Sequence, residues 1–149
     1  MGIEVLTGQL IGLDTSPLIY YFEDRAPYAD ILEPLFQSLH AGTTQIVTSM
    51  ITITEVLVHP IKQNNEKLAS EYLDVLLSHP HVLTIPLTSA IAQYAAELRA
   101  IYSLKTPDSI QLATAIASKA TTFLTNDRDF AEVPGVRIVR LSDFLTESA

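Results

Sequence analysis

The sequence has 149 residues and no cysteine, and 17 acidic against 9 basic side chains leave a formal net charge of −8. The missing cysteines exclude disulfides, thiolate metal sites and cysteine nucleophiles, and 48% hydrophobic against 17% charged residues exclude a disordered chain. So acidic a protein repels polyanions over much of its surface, which on composition alone counts against a nucleic-acid partner.

In chain order, Leu10 to Leu13 is a short apolar run that ends in Asp14-Thr15-Ser16 and predicts a first strand. Pro17, with Ser16 before it as cap, predicts a helix to Glu23. A second helix is expected over Ala29 to Leu39, where Ile31, Leu32, Leu35, Phe36 and Leu39 fall at helical spacing, with Gly42 beyond its end. Gln45 to Thr48 reads as a strand and Ile51 to Val58 as a helix. Asn65 to Ser78 reads as one helix broken by His79-Pro80, and Val82 to Ile85 as a third strand. Thr88 opens a long amphipathic helix through Ile101, and Thr106-Pro107-Asp108 opens another. Phe123 to Thr125 and Val136 to Leu141 complete the strands.

Short apolar strands alternating with helices predict a three-layer α/β/α fold, Rossmann-like, around a mainly parallel sheet of about five strands. The expected unit is one domain over residues 1–149, with residues 1–9 a short N-terminal extension. Sites in such sheets form outside the carboxyl ends of the strands, where strand order reverses.

Four acids fit that location. Asp14 and Asp127 follow apolar runs and are expected at strand ends, Asp108 sits in the first turn of a helix, and Glu55 lies among Ile53, Val56, Leu57 and Val58. Taken singly, the first three have plain explanations as turn residues or as an acid favoured by a helix dipole. A buried, unpaired Glu55 would cost several kcal/mol, so a compensating partner is expected. Carboxylates gathered in one crevice repel and partly protonate unless a cation holds them. All-oxygen ligation selects a hard divalent ion, Mg²⁺ or Mn²⁺, suited to phosphoryl transfer.

Leu13-Asp14-Thr15-Ser16-Pro17-Leu18-Ile19, Thr54-Glu55-Val56, the stretch from Pro107-Asp108-Ser109 to Thr114-Ala115, and Leu124-Thr125-Asn126-Asp127-Arg128-Asp129-Phe130 resemble, in order, the motifs of PIN-domain ribonucleases. The size resembles the VapC-type toxins of toxin–antitoxin pairs. The resemblance implies a PIN-like fold and a Mg²⁺- or Mn²⁺-dependent endoribonuclease of single-stranded RNA that leaves a 5′-phosphate and a 3′-hydroxyl. It implies that Asp14, Glu55, Asp108 and Asp127 hold the metal and position the attacking water, with Ser16 supporting the first acid or its metal. Asp129 is the alternative fourth acid, with Asp127 preferred, and Asn126 is a further polar neighbour. The implied partners are RNA, a cognate antitoxin and a second copy of the chain in a homodimer.

Lys105 and Arg128 flank two of the acids and are expected to meet RNA phosphates. The four acids equal half of the net charge of −8, so the acidity that first argued against nucleic acid includes the groups that would cut it. Three other readings compete: a PIN-type RNase that is not a toxin, a phosphotransfer or receiver-like protein with Asp14 as phospho-acceptor, and a binding module without activity. The second is weakened because Ser16 stands where a haloacid-dehalogenase-type phosphatase has a second Asp. The four histidines lack the i, i+4 spacing of helical zinc ligands, and no phosphate-binding glycine motif or serine-hydrolase elbow occurs. No basic leader, myristoylation signal (Leu6 occupies its Ser/Thr position) or run of about 18 apolar residues is present, so a cytoplasmic protein without membrane attachment is expected.

Overall fold

The computed structural model describes residues 2–147. Five parallel strands form one sheet in the order β3-β2-β1-β4-β5: β1 (Leu10–Leu13), β2 (Gln45–Ser49), β3 (Val82–Ile85), β4 (Thr122–Thr125) and β5 (Arg137–Arg140). The all-parallel sheet bears out the expected class. From β1 the chain works outward through β2 to β3, then returns to the other side of β1 for β4 and β5, so the order reverses between β1 and β4. Parallel strands need crossover helices, and these cover both faces.

On one face α1 (Thr15–Phe22), α2 (Tyr28–Ala41) and α5 (Glu66–Leu73) bury Leu18, Leu32, Leu35, Phe36, Leu39 and Tyr72 against Ile11, Leu13, Ile46 and Leu124. Tyr21 stacks on Phe36 with ring centroids 4.0 Å apart, and Phe22 meets Tyr72 at 5.4 Å, so aromatic contacts join these three helices. Ile3 and Leu6 also enter this core. On the other face α6 (Ser89–Tyr102) and α7 (Thr106–Ala117) bury Ile91, Ala95, Leu98, Leu112, Ala113 and Ala115 against Val47, Phe123 and Ile138. No described helix is long and apolar enough to cross a membrane.

Gly12 explains how closely α7 approaches β1. A Cβ at this position would lie 2.6 Å from Ala115 Cβ and 3.1 Å from Phe123 Cδ1. Gly12→Ala is therefore expected to destabilise the protein by about 1–3 kcal/mol, seen as a lower urea midpoint.

Three local expectations need correction. The first helix begins two residues before Pro17, and its N-cap is Asp14, whose carboxylate accepts from the Thr15 N–H at 2.8 Å; Ser16 is not the cap. The stretch expected as one helix to Val58 divides into α3 (Ile51–Val56) and α4 (Val58–Lys62). Pro60, buried at the centre of α4, has no backbone N–H to extend a continuous ladder. The Asn65–Ser78 helix is capped by Asn65, and its last turn, Asp74–Ser78, widens into a π-turn that buries Val75 and Leu76.

Candidate active site at the carboxyl edge of the sheet

The crevice beyond β1 and β4 is built from strand ends set level by the ladder. Ile11, Gly12 and Leu13 pair with Thr122, Phe123 and Leu124, and the Asp14 N–H donates to the Leu124 carbonyl at 3.0 Å. Asp14 is therefore level with Thr125, the last residue of β4, and Asp127 follows two residues later. Thr125, wholly buried, links them: its hydroxyl donates to Asp14 Oδ2 at 2.7 Å and accepts from the Asp127 N–H at 3.0 Å. Arg140, on β5, donates through Nε to the Asp127 carbonyl at 3.2 Å and through Nη2 to the Phe130 carbonyl, which fixes the loop after β4.

Asp108 reaches the crevice from the first turn of α7 and Glu55 from α3. Glu55 corrects the sequence-based picture. It lies on the exposed side of its short helix rather than among its apolar neighbours, so no burial penalty needs offsetting. Its partner is a hydroxyl, Thr15 Oγ1, which donates to Glu55 Oε1 at 2.6 Å.

The electrostatics show the acids acting on one another. Burial pushes the Asp14 carboxyl above the ordinary range; hydrogen bonds from Thr125 and Thr15 pull it back, and the charges of Glu55 and Asp127 push it up again. Asp108 is raised to about 6, first by burial and then by Asp14, Asp127 and Glu55, with Lys105 opposing. Lys105 is highly exposed and lies 3.9 Å from Asp129. The site thus carries more negative charge than its own cations offset.

The two candidates for the fourth acid differ in their surroundings. Asp127 acts on both Asp14 and Asp108, whereas Asp129 is exposed, pairs with Lys105 and gives its backbone N–H to Asp127 Oδ1 at 2.8 Å. Asn126 turns away from the acids, its Oδ1 accepting from the Ser142 N–H at 3.0 Å, so it ties β4 to the segment after β5. Arg128 is exposed beside Asp127. Three of the four histidines, His40, His79 and His81, gather at the opposite, amino end of the sheet, with His40 Nδ1 3.1 Å from His79 Nε2.

Among the described residues, no three carboxylate or imidazole groups stand at the spacing of a closed metal site. The donor set nevertheless fits a hard divalent cation: it is all oxygen, Asp14 and Asp108 are raised by burial and by the neighbouring acids, and the buried Ser16 Oγ has no hydrogen-bond partner among the described residues.

Sequence reasoning missed a layer beneath the acids. Gln111, Thr15, Thr48, Thr52 and Thr125 are all buried and hydrogen-bonded to one another or to the acids. The signal available was polar residues at positions that periodicity assigns to the core, Gln111 between Ile110 and Leu112 above all.

Five parallel strands with helices on both faces and acids at the switch point define the class as a three-layer, PIN-like α/β/α fold. The family model described as PIN domain matches residues 11–136, and the chain belongs to that family. A chain of a toxin–antitoxin complex from Klebsiella pneumoniae is 30% identical with a TM-score of 0.64, the match covering 89% of this chain and 97% of that one. Two further structures share the fold: VapBC2 from Rickettsia felis bound to a DNA fragment from their promoter (21% identity, TM-score 0.64, 88% and 98% covered), and DNA-bound VapBC from Salmonella typhimurium (18%, 0.63, 89% and 98%). Comparison with curated proteins returned no significant match.

Proposed function

We propose that this chain is a divalent-metal-dependent endoribonuclease, the toxin of a toxin–antitoxin pair, with Asp14, Glu55, Asp108 and Asp127 as its metal-holding and catalytic acids. The observation that carries this reading is the convergence of four acids at the switch point, where burial first and then the charges of Asp14, Asp127 and Glu55 raise Asp108 to about 6. A bound Mg²⁺ or Mn²⁺ would supply stabilisation of charge on the scissile phosphate and a more acidic water. Asp14 is held by two hydrogen bonds in one orientation, and Asp127 is held through its backbone by Thr125 and Arg140. Ser16, whose buried hydroxyl has no hydrogen-bond partner among the described residues, supports the metal rather than the first acid, and Lys105 and Arg128 at the rim meet the RNA backbone.

The antitoxin reading is supported by the 30% identity to a chain of a toxin–antitoxin complex and by an apolar groove of about 600 Å³ beside Glu55, lined by Met50, Ile53, Leu57, Val58 and Ile61. Ile61 is 64% exposed in the chain alone, as expected of a surface that a partner covers. A phospho-acceptor role for Asp14 is the weaker reading, because both its oxygens already accept hydrogen bonds and it is 8% exposed.

The test is cleavage of single-stranded RNA with Mn²⁺, with Mg²⁺ and with chelator, for wild type and Asp14→Asn. Cleavage that needs metal and disappears in the variant is expected. Metal-independent cleavage, or full activity in Asp14→Asn, would rule the mechanism out.

A further inference from the structure

The four acids leave one buried polar side chain without a task. Gln111 lies on α7 one turn after Asp108, is 2% exposed and occupies a stretch buried from Ser109 to Ala115. A glutamine there costs free energy unless its amide is satisfied. Its Oε1 accepts from the Ser49 N–H at 3.3 Å and faces Thr48 Oγ1 at 3.3 Å. Its Nε2 donates to Thr52 Oγ1 at 2.6 Å and to Thr15 Oγ1 at 3.3 Å.

The Ser49 N–H fixes which way this amide points, since a flipped amide would set NH₂ against N–H. Both threonines therefore accept from Gln111, and each keeps one proton to give. Thr15 gives its proton to Glu55 Oε1 at 2.6 Å. Thr52 gives its proton to Thr48 Oγ1 at 2.7 Å, and Thr48 donates to the Leu13 carbonyl at 2.8 Å, on the peptide that leads into Asp14. One amide on the helix of Asp108 thus orders two proton chains, ending at Glu55 and at the entry to Asp14.

We propose that Gln111 is a positioning residue that directs the Thr15 hydroxyl onto Glu55 and so fixes this exposed carboxylate relative to the other three acids. The proposal rests on the metal-nuclease reading of the site. Without the amide, Thr15 Oγ1 loses the donor on its other side, and its bond to Glu55 loses the contact that ties it to the buried network. A buried polar network acts as a unit when every member is satisfied, and residues that orient metal ligands typically change metal affinity or activity by about 10- to 100-fold.

The test uses the full chain and two readouts: Mn²⁺ affinity by electron paramagnetic resonance, and RNA cleavage resolved into kcat and KM. Gln111→Leu and Thr15→Val are each expected to weaken Mn²⁺ binding about 10-fold and to lower kcat with KM for RNA little changed. The double variant should lose no more than either single one, and Thr15→Ser should retain wild-type values. A folded Gln111→Leu protein with wild-type Mn²⁺ affinity and kcat would overturn the proposal, as would losses that multiply in the double variant. If Gln111→Leu does not fold, wild-type behaviour of Thr15→Val overturns it equally. A wild-type chain that binds Mn²⁺ but leaves RNA intact would refute the proposed function while the Mn²⁺ affinities still decide the role of Gln111. A wild-type chain that binds no Mn²⁺ would overturn both.

Discussion

Asp108→Asn should make the metal-free protein more stable at pH 7 while abolishing metal-dependent cleavage of RNA. The Asp108 carboxyl is raised from 3.8 to about 6 by burial and by three neighbouring acids, so folding costs free energy whenever it is ionised. A difference of that size corresponds to about 3 kcal/mol, and water on the open side of the crevice reduces it to about 1–2 kcal/mol. The sign follows from linkage. Between about pH 4 and 6 the folded state binds more protons than the unfolded one, so wild-type stability falls as pH rises through this window. Above about pH 6 the penalty is complete, and below about 4 it is absent. The advantage of Asp108→Asn in urea unfolding should therefore be largest at pH 7 and vanish near pH 3.5. Added Mn²⁺ should reverse the ranking, because a ligand that binds only the folded wild type raises its stability by mass action. A variant no more stable than wild type in chelator at pH 7 would mean that burial and the neighbouring acids do not penalise the Asp108 charge.

Thr125→Val should have the opposite effect on stability, again in a pH-dependent way. The hydroxyl satisfies Asp14 Oδ2 and the Asp127 N–H within a wholly buried position, and valine keeps the shape while removing both bonds. Leaving such groups unpaired costs about 1–3 kcal/mol. The Thr125 bond holds the Asp14 carboxyl down, so its loss lets burial raise that carboxyl further. The part of the loss that belongs to Asp14 is present where the carboxylate is ionised and fades as falling pH protonates it. Urea unfolding should show a deficit that is largest at neutral pH and narrows in acid. The acid limb of RNA cleavage should move to higher pH. An unmoved limb with unchanged stability would show that Thr125 is only a spacer.

These two variants separate what local sequence patterns reveal from what they hide. Asp14 is legible because it directly follows the apolar run of β1, and a strand that ends at the carboxyl edge delivers its next residue to the crevice; Asp127 follows β4 by two residues and reaches the crevice through the turn that Thr125 holds. Asp108 was legible from Pro107 and the helix start around it. Glu55 is named by the resemblance that Thr54-Glu55-Val56 carries, but the burial expected of it is not found. Its apolar neighbours suggested burial, but α3 is short and turns one side outward, so the residue is exposed and meets Thr15 from another element. Ser16 was misread as a cap because the rule fits Ser before Pro, whereas Asp14 binds the first helical N–H more directly. Gln111 gives no local signal of its role, since its partners come from residues 15, 48, 49 and 52, far from it in the chain.

Local patterns suffice for the alternation of strands and helices, for the parallel α/β class, and for placing Asp14 at a strand end and Asp108 at a helix start. Hydrophobic periodicity and helix-start chemistry are local properties, and local properties can be read one segment at a time. The reversal of strand order between β1 and β4, the Thr125 hydroxyl that joins Asp14 to Asp127, and the contact of Gln111 with the threonine that donates to Glu55 arise from the tertiary fold. Each of these depends on residues many positions apart meeting at hydrogen-bond distance. It is strand pairing and the close approach of α7 over Gly12, not any segment's own preference, that bring them together.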